Sequence, residues 1–239
     1  MKSNEFLDKL RLAESCKTIY IKGCFGAPMT PANKKRYTNN LPYNNNRAAM
    51  INACSADTFG FDCVCLIKGI LWGWNADKNK VYGGAVYKSN GVPDVGADGI
   101  VKYLIGVSTD FRGIIPGEVV WMSGHVGVYV GDGKVIECTP KWTNDVQYSN
   151  LGNLGYTTGH FRNWTKHGKL PWVEYISTPV EEKPVNEPNT QAKYHVVVKG
   201  DTMNKIAKKY GTTLAKLKEL NPQITNVNKI YVGQKIRVK

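Results

Sequence analysis

Residues 63 to 74 are apolar almost all round: Cys63, Val64, Cys65, Leu66, Ile67, Gly69, Ile70, Leu71, Trp72, Gly73 and Trp74, broken only by Lys68. Read at helical spacing, Cys63, Leu66, Ile67, Ile70 and Trp74 share one face, and so little of the rest is polar that the whole rod must be buried. Any fold for this chain has to wrap it. Gly69 and Gly73, one turn apart, predict close approach by another element. Asp62, immediately before the run, is a favoured N-cap.

The surroundings predict how the wrapping is done. Phe6, Leu7, Leu10 and Ala13 form the stripe of an opening helix, whereas residues 26–60 are rich in Asn, Pro and Gly and read as a long irregular excursion. Strand-like runs follow at 118–121, 125–130 and 134–138, the last two separated by Gly131-Asp132-Gly133 as a hairpin loop. Helix before antiparallel sheet is an α+β arrangement. Three prolines and several acids over 178–192 mark a semi-extended linker. The expected organisation is therefore a first domain over 1–178, a linker over 179–192 and a small module over 193–239.

Net charge is +13, and residues 193–239, with eleven basic against two acidic side chains, carry +9 of it. Such a module is drawn to polyanions, whether nucleic acid, anionic membrane or the teichoic acids of a bacterial wall. No stretch approaches the 18 or so apolar residues of a membrane span, and no apolar h-region follows Met1, so neither membrane insertion nor a secretory leader is expected. Six cysteines in 239 residues are too sparse for a disulfide framework and are expected reduced. Cys63-x-Cys65 with His125 and Cys138 departs from the usual zinc spacing, so no metal and no cofactor is expected.

A cysteine in the first turn of a helix sees exposed backbone N–H groups and the positive end of the dipole, both of which lower a thiol's pKa. Cys63 is thus a candidate nucleophile, with Cys65, about 200° round the helix, a core residue. A nucleophile needs a base, and His125 opens a strand behind Gly124. The base needs an orienting acceptor. If the hairpin loop has three residues, Gly127 pairs with Glu137 and His125 lies diagonally across from it on the same face; a two-residue loop puts the two on opposite faces. His160 and His167 read as surface or groove residues.

Taken together, Phe61-Asp62-Cys63 opening a helix, Pro116-Gly117-Glu118-Val119-Val120, and the segment from Gly124-His125-Val126-Gly127 to Val135-Ile136-Glu137 resemble the NlpC-type cysteine peptidases of bacterial cell walls, which are papain-like hydrolases. The resemblance implies Cys63 as nucleophile, His125 as base and Glu137 as third residue. It also implies that Tyr20, in Tyr20-x-x-Gly23, lines the site with Asp62, Gly124 and Trp142. Val64-Cys65 stands where the family usually has Ser-Gly, and Glu137 where it more often has His, Asn or Gln. The implied activity is hydrolysis of a stem-peptide bond such as the D-glutamyl–diamino acid linkage. An N-acetylmuramoyl-L-alanine amidase and a wall-binding protein without activity are the alternatives. Without a leader, a phage-type endolysin made in the host cytoplasm is the expected source.

The last 47 residues predict strand, helix, helix, strand. Tyr194-x-Val196, Gly200-Asp201-Thr202-Met203, Ile206-Ala207, Leu217, Asn221-Pro222 and Val232-Gly233-Gln234-x-Ile236 closely resemble a LysM module. That resemblance implies binding of N-acetylglucosamine-containing glycan, hence peptidoglycan, between Gly200, Asp201, Thr202 and Met203 on one side and Asn221, Pro222 and Ile224 on the other.

Overall fold

The computed structural model describes residues 1–175, 194–198, 200–221, 224, 226–227, 230 and 235–238. It divides into two compact units, Met1–Thr178 and Pro179–Lys239. The first is α+β, as the order of elements predicts.

Helix α1 (Ser3–Ser15) buries Phe6, Leu7, Leu10 and Ala13, the stripe read from the spacing. Strands β1 (Thr18–Tyr20) and β2 (Phe25–Pro28) follow. The Asn-rich excursion then departs from expectation: it folds into α2 (Pro31–Asn40), α3 (Pro42–Asn45) and α4 (Ala48–Ala53) before β3 (Phe59–Phe61). Local caps and long-range side-chain bonds override the poor helix propensity of asparagine. Thr30 caps α2 by accepting from the amide of Asn33, with Pro31 in the first turn. Asn33 Nδ2 donates to the carbonyls of Pro28 (2.8 Å) and Val81 (3.0 Å), and Asn44 bonds both the amide and the carbonyl of Lys22. The asparagines stand in for missing backbone partners.

Helix α5 (Cys63–Leu71) is the expected rod, and all nine of its residues are buried. Burial of Leu66, Ile67, Ile70 and Leu71 is worth about 1.5–3 kcal/mol each relative to exposure. Lys68, the one charge in the run, is tied to Asp94 and donates to the carbonyl of Val95 at 2.9 Å. Strand β2 lies so close that a Cβ on Gly69 would sit 2.6 Å from the carbonyl oxygen of Phe25, so this glycine does permit close approach. Gly73 does not: its requirement is a φ of +97° where the helix ends, with the nearest outside atom 3.8 Å away.

After α6 (Ala97–Ile100) the chain enters the sheet: β4 (Ile105–Ser108), β5 (Val119–Met122), β6 (His125–Gly131), β7 (Lys134–Thr139), β8 (Asp145–Leu151), β9 (Phe161–Arg162) and β10 (Lys166–Lys169). Their order is β4-β10-β5-β6-β7-β8-β9, antiparallel except for the short parallel pair β8–β9. Phe6, Leu10, Leu66 and Ile70 from the helices meet Val119, Val126, Val128 and Ile136 from the sheet in one core.

The β6–β7 hairpin corrects the expected loop. Gly131 pairs with Lys134, leaving a two-residue turn of Asp132 (φ +51°) and Gly133 (φ +69°), the two positive angles of a tight hairpin turn. A bulge between Tyr129 and Gly131 then restores the register, pairing Val128 with Ile136. Gly127 therefore falls opposite Glu137 although the loop is short.

The second unit is a βααβ arrangement among the described residues: β11 (Tyr194–Val196), α7 (Met203–Lys209), α8 (Leu214–Leu220) and β12 (Lys235–Arg237), with β11 and β12 antiparallel. Met203, Ile206, Ala207, Leu217, Ile224 and Ile236 form its core. The return to strand expected over 229–239 is seen as β12, and residues 229 and 231–234 lie outside the described residues.

Candidate active site

Asp62 organises the start of α5. Its Oδ1 accepts from the amide of Cys65 at 2.7 Å, closing the first turn, and its Oδ2 accepts from the amide of Gly23 at 2.7 Å. Gly23 has φ +80°, so the tight turn after Tyr20 is fixed directly to the helix cap. Cys63, next in the chain, is buried with only 7% of its surface exposed. The backbone amides of Val126, the residue after His125, and of Val64 act to lower its pKa. Tyr20 lies close enough for the Cys63 and Asp62 charges, after burial, to push its phenol further up.

The thiol's acidity contradicts expectation. Burial, reinforced by the Asp62 charge, pushes Cys63 up to about 12, and the amides of Val126 and Val64 only oppose this. Helix-end stabilisation is outweighed because the sulfur has lost its water and the capping carboxylate is adjacent. Burial likewise pushes Cys65 well above the usual thiol range, and it forms core, as expected.

His125 Nε2 is 2.6 Å from Glu137 Oε2, diagonally across the β6–β7 ladder. The ring stacks on Trp164 at 5.5 Å between centroids and 14° between planes. Glu137 is fully buried and saturated with donors: Arg162 Nε reaches both oxygens, at 3.0 and 2.7 Å, and the Ser149 hydroxyl donates to Oε1. Burial pulls its pKa upward, but the bond to His125, the charges of His125 and Arg162, and Ser149 together hold it below the usual carboxylate range. Gly124 (φ +74°) turns the chain before His125, its amide fixed on Asp98 Oδ1 at 2.7 Å. Trp142 (φ +64°) stacks on His160 and lies 4.7 Å from the Arg162 guanidinium.

The structure thus joins His125 to Glu137 across β6 and β7, with Gly124 turning the chain before His125, and gathers Tyr20, Asp62 and Cys63 at the start of α5, which packs on β6; Trp142 is linked to Glu137 through Arg162. Sequence reasoning missed Arg162, Ser149 and Trp164. Phe161 and Arg162 form a two-residue edge strand with no periodic signal, and Ser149 is legible only once β8 is registered on β7. His167 corrects the expectation of a surface residue: it is buried, bonded to Glu118 and to the carbonyl of Asp110. No group of three potential metal ligands occurs among the described residues.

In the second unit, Gly200 is an exposed turn residue with φ +94°, and Thr202 caps α7 through the amide of Lys205. Asp201 accepts from the amide of Val198 at 2.9 Å and pairs with buried His195 at 2.7 Å. Asn221 is buried, bonded to Leu217 and to the amide and carbonyl of Arg237, and Met203 and Ile224 lie in the core. Pro222 lies outside the described residues. A cavity of about 160 Å³ is lined by Asp201, Thr202, Met203, Asn204, Leu214, Val227 and Ile230.

Residues 195–239 match the LysM domain family, so the chain carries a LysM domain at this end. It is 37% identical over 107 residues to an endolysin of Bacillus phage B103, covering 39% of this chain and 41% of the relative. It is 32% identical over 105 residues to an endolysin of Bacillus phage PZA, with the same two coverages. The chain thus spans about two fifths of the length of the curated relatives it matches. NlpC1 of Trichomonas vaginalis aligns with 70% of this chain and 43% of its own at 15% identity and a TM-score of 0.32.

Proposed function

We propose that this chain is a peptidoglycan hydrolase in which a thiol peptidase cuts the stem peptide, at a bond such as D-glutamyl–diamino acid, and the LysM domain holds the enzyme on its polymer. The observation that carries the reading is the buried Glu137 bonded to His125, which opens β6, the strand packed against the helix α5 that Cys63 opens. The LysM match and the relatives named endolysins support the wall as the substrate.

With Nε2 donating to Glu137, Nδ1 is the imidazole nitrogen left to accept a proton. Because burial keeps the thiol protonated, proton transfer to Nδ1 accompanies attack of the sulfur on the peptide carbonyl. A carbon–sulfur bond forms, and amides at the start of α5 stabilise the oxyanion. The carbon–nitrogen bond then breaks as His125 returns its proton to the leaving amine. Water, activated by the same ring, hydrolyses the thioester and frees the thiol. Lys22, Arg47 and Lys141 have no carboxylate within 4 Å among the described residues, and a stem peptide bearing carboxylates suits such surroundings. Anionic wall polymers are a second attraction through the basic LysM domain.

Tethering raises the local substrate concentration, so even a weak glycan site contributes. The test is turbidity of purified cell walls. Wild type is expected to clear them while Cys63→Ala sediments with them without clearing. Equal clearing by both proteins, or by neither, would reject the thiol mechanism.

A further inference from the structure

Glu137 poses an electrostatic problem. A carboxylate with no exposed surface either takes up a proton or finds a compensating charge. A lone carboxylate against His125 would also draw a proton onto the ring permanently, removing the base the reaction needs. Arg162 addresses both difficulties. Its Nε lies within 3.0 Å of both Glu137 oxygens, its Nη2 donates to Thr139 Oγ1 at 3.0 Å, and only 14% of its side chain is exposed. Trp142 and Trp164 lie 4.7 and 6.0 Å from the guanidinium, and Trp164 is also the ring stacked on His125. The same aromatic therefore contacts both the cation and the imidazole.

We propose that Arg162 is a positioning residue that makes Glu137 an electrically neutral acceptor for His125: the Arg162–Glu137 pair orients the imidazole as a carboxylate would, without imposing a net negative charge on it. The inference rests on the peptidase reading for its catalytic meaning, but the charge compensation is measurable without turnover. Arg162 acts through Glu137 and touches no reacting atom. The elements packed against β6 and β7 bring further ionisable groups: Cys63 and Asp62 at the start of α5, Tyr20 on β1, and Asp98 on α6, which holds the amide of Gly124. Among the described residues, Arg162 is the only permanent cation within 4 Å of Glu137, His125 being a cation there only when protonated.

The experiment is NMR titration of the His125 ring in the full-length Cys63→Ala chain, alongside kcat/KM on solubilised wall fragments with Cys63 intact. Arg162→Gln is expected to raise the His125 midpoint by about one pH unit or more, because an unneutralised carboxylate then faces the ring. The acid limb of the kcat/KM profile should move up with it, with at least a tenfold loss at neutral pH. Glu137→Gln alone, which leaves a lone cation, should lower the midpoint. The Glu137→Gln/Arg162→Gln double variant should return it close to the starting value, and Arg162→Lys should hold it there. If Arg162→Gln fails to fold, the opposed responses of Glu137→Gln and the double variant still carry the test. An unmoved midpoint in the single variants, or a double variant that does not return, would overturn the inference. Absence of any wild-type activity would instead reject the hydrolase reading and leave the titration result standing.

Discussion

Two opposed influences meet at Cys63: the amides at the start of α5, which favour a thiolate, and burial beside Asp62, which disfavours it. Burial wins, so the resting group is a thiol. Alkylation of Cys63 by iodoacetamide, followed by intact-mass spectrometry, should therefore still accelerate from pH 7 to pH 9 rather than level off below neutrality. A plateau beginning near pH 5 would mean a preformed thiolate. The placement of Cys63 at a helix start, of His125 at a strand start and of Glu137 across from it was legible in the sequence because each rests on local signals: a cap, a strand start and a register. The Cys63 acidity was not, because desolvation is set by everything packed around a residue. Arg162 was equally hidden, since an arginine in a polar stretch looks solvated until an edge strand sets it on a carboxylate 25 positions earlier.

At the scale of elements, α5 and β2 are locked by the absence of a side chain. Gly69→Ala would place a methyl group 2.6 Å from the Phe25 carbonyl oxygen, a backbone atom with little room to move. Overpacking of this kind should cost about 1–3 kcal/mol, read as a lowered midpoint in urea denaturation. An unchanged midpoint would show that β2 yields easily. The α5 rod was legible from composition alone, whereas the helices over 31–53 were not: their asparagines satisfy distant backbone groups, such as those of Lys22 and Val81, that no short window contains. The β6–β7 hairpin shows a subtler limit. The pairing of Gly127 with Glu137 followed from a three-residue loop, yet the molecule reaches it with two loop residues and a bulge. Two compensating one-residue shifts leave the same faces paired, and alternation along the strands does not distinguish them.

For the whole molecule, the two units differ in charge and in buried chemistry. Most of the net charge of +13 lies beyond residue 192, while the buried polar chemistry around Glu137 lies in the first unit. Long-range attraction of so basic a domain to any polyanion, the proposed anionic wall included, is screened by salt, with a range of about 10 Å at 0.1 M and about 3 Å at 1 M. Sedimentation of the full-length chain with intact walls should weaken several-fold over that range, with the residue of binding that persists in high salt reporting glycan recognition. Indifference to salt would assign all of the binding to uncharged contacts. The central claim, that Cys63 cleaves an amide of the stem peptide, is tested most directly by mass spectrometry of wall fragments released by the wild-type chain. The account predicts a newly freed amine on the diamino acid with the glycan strands uncut. New reducing sugar ends carrying intact stem peptides would contradict it.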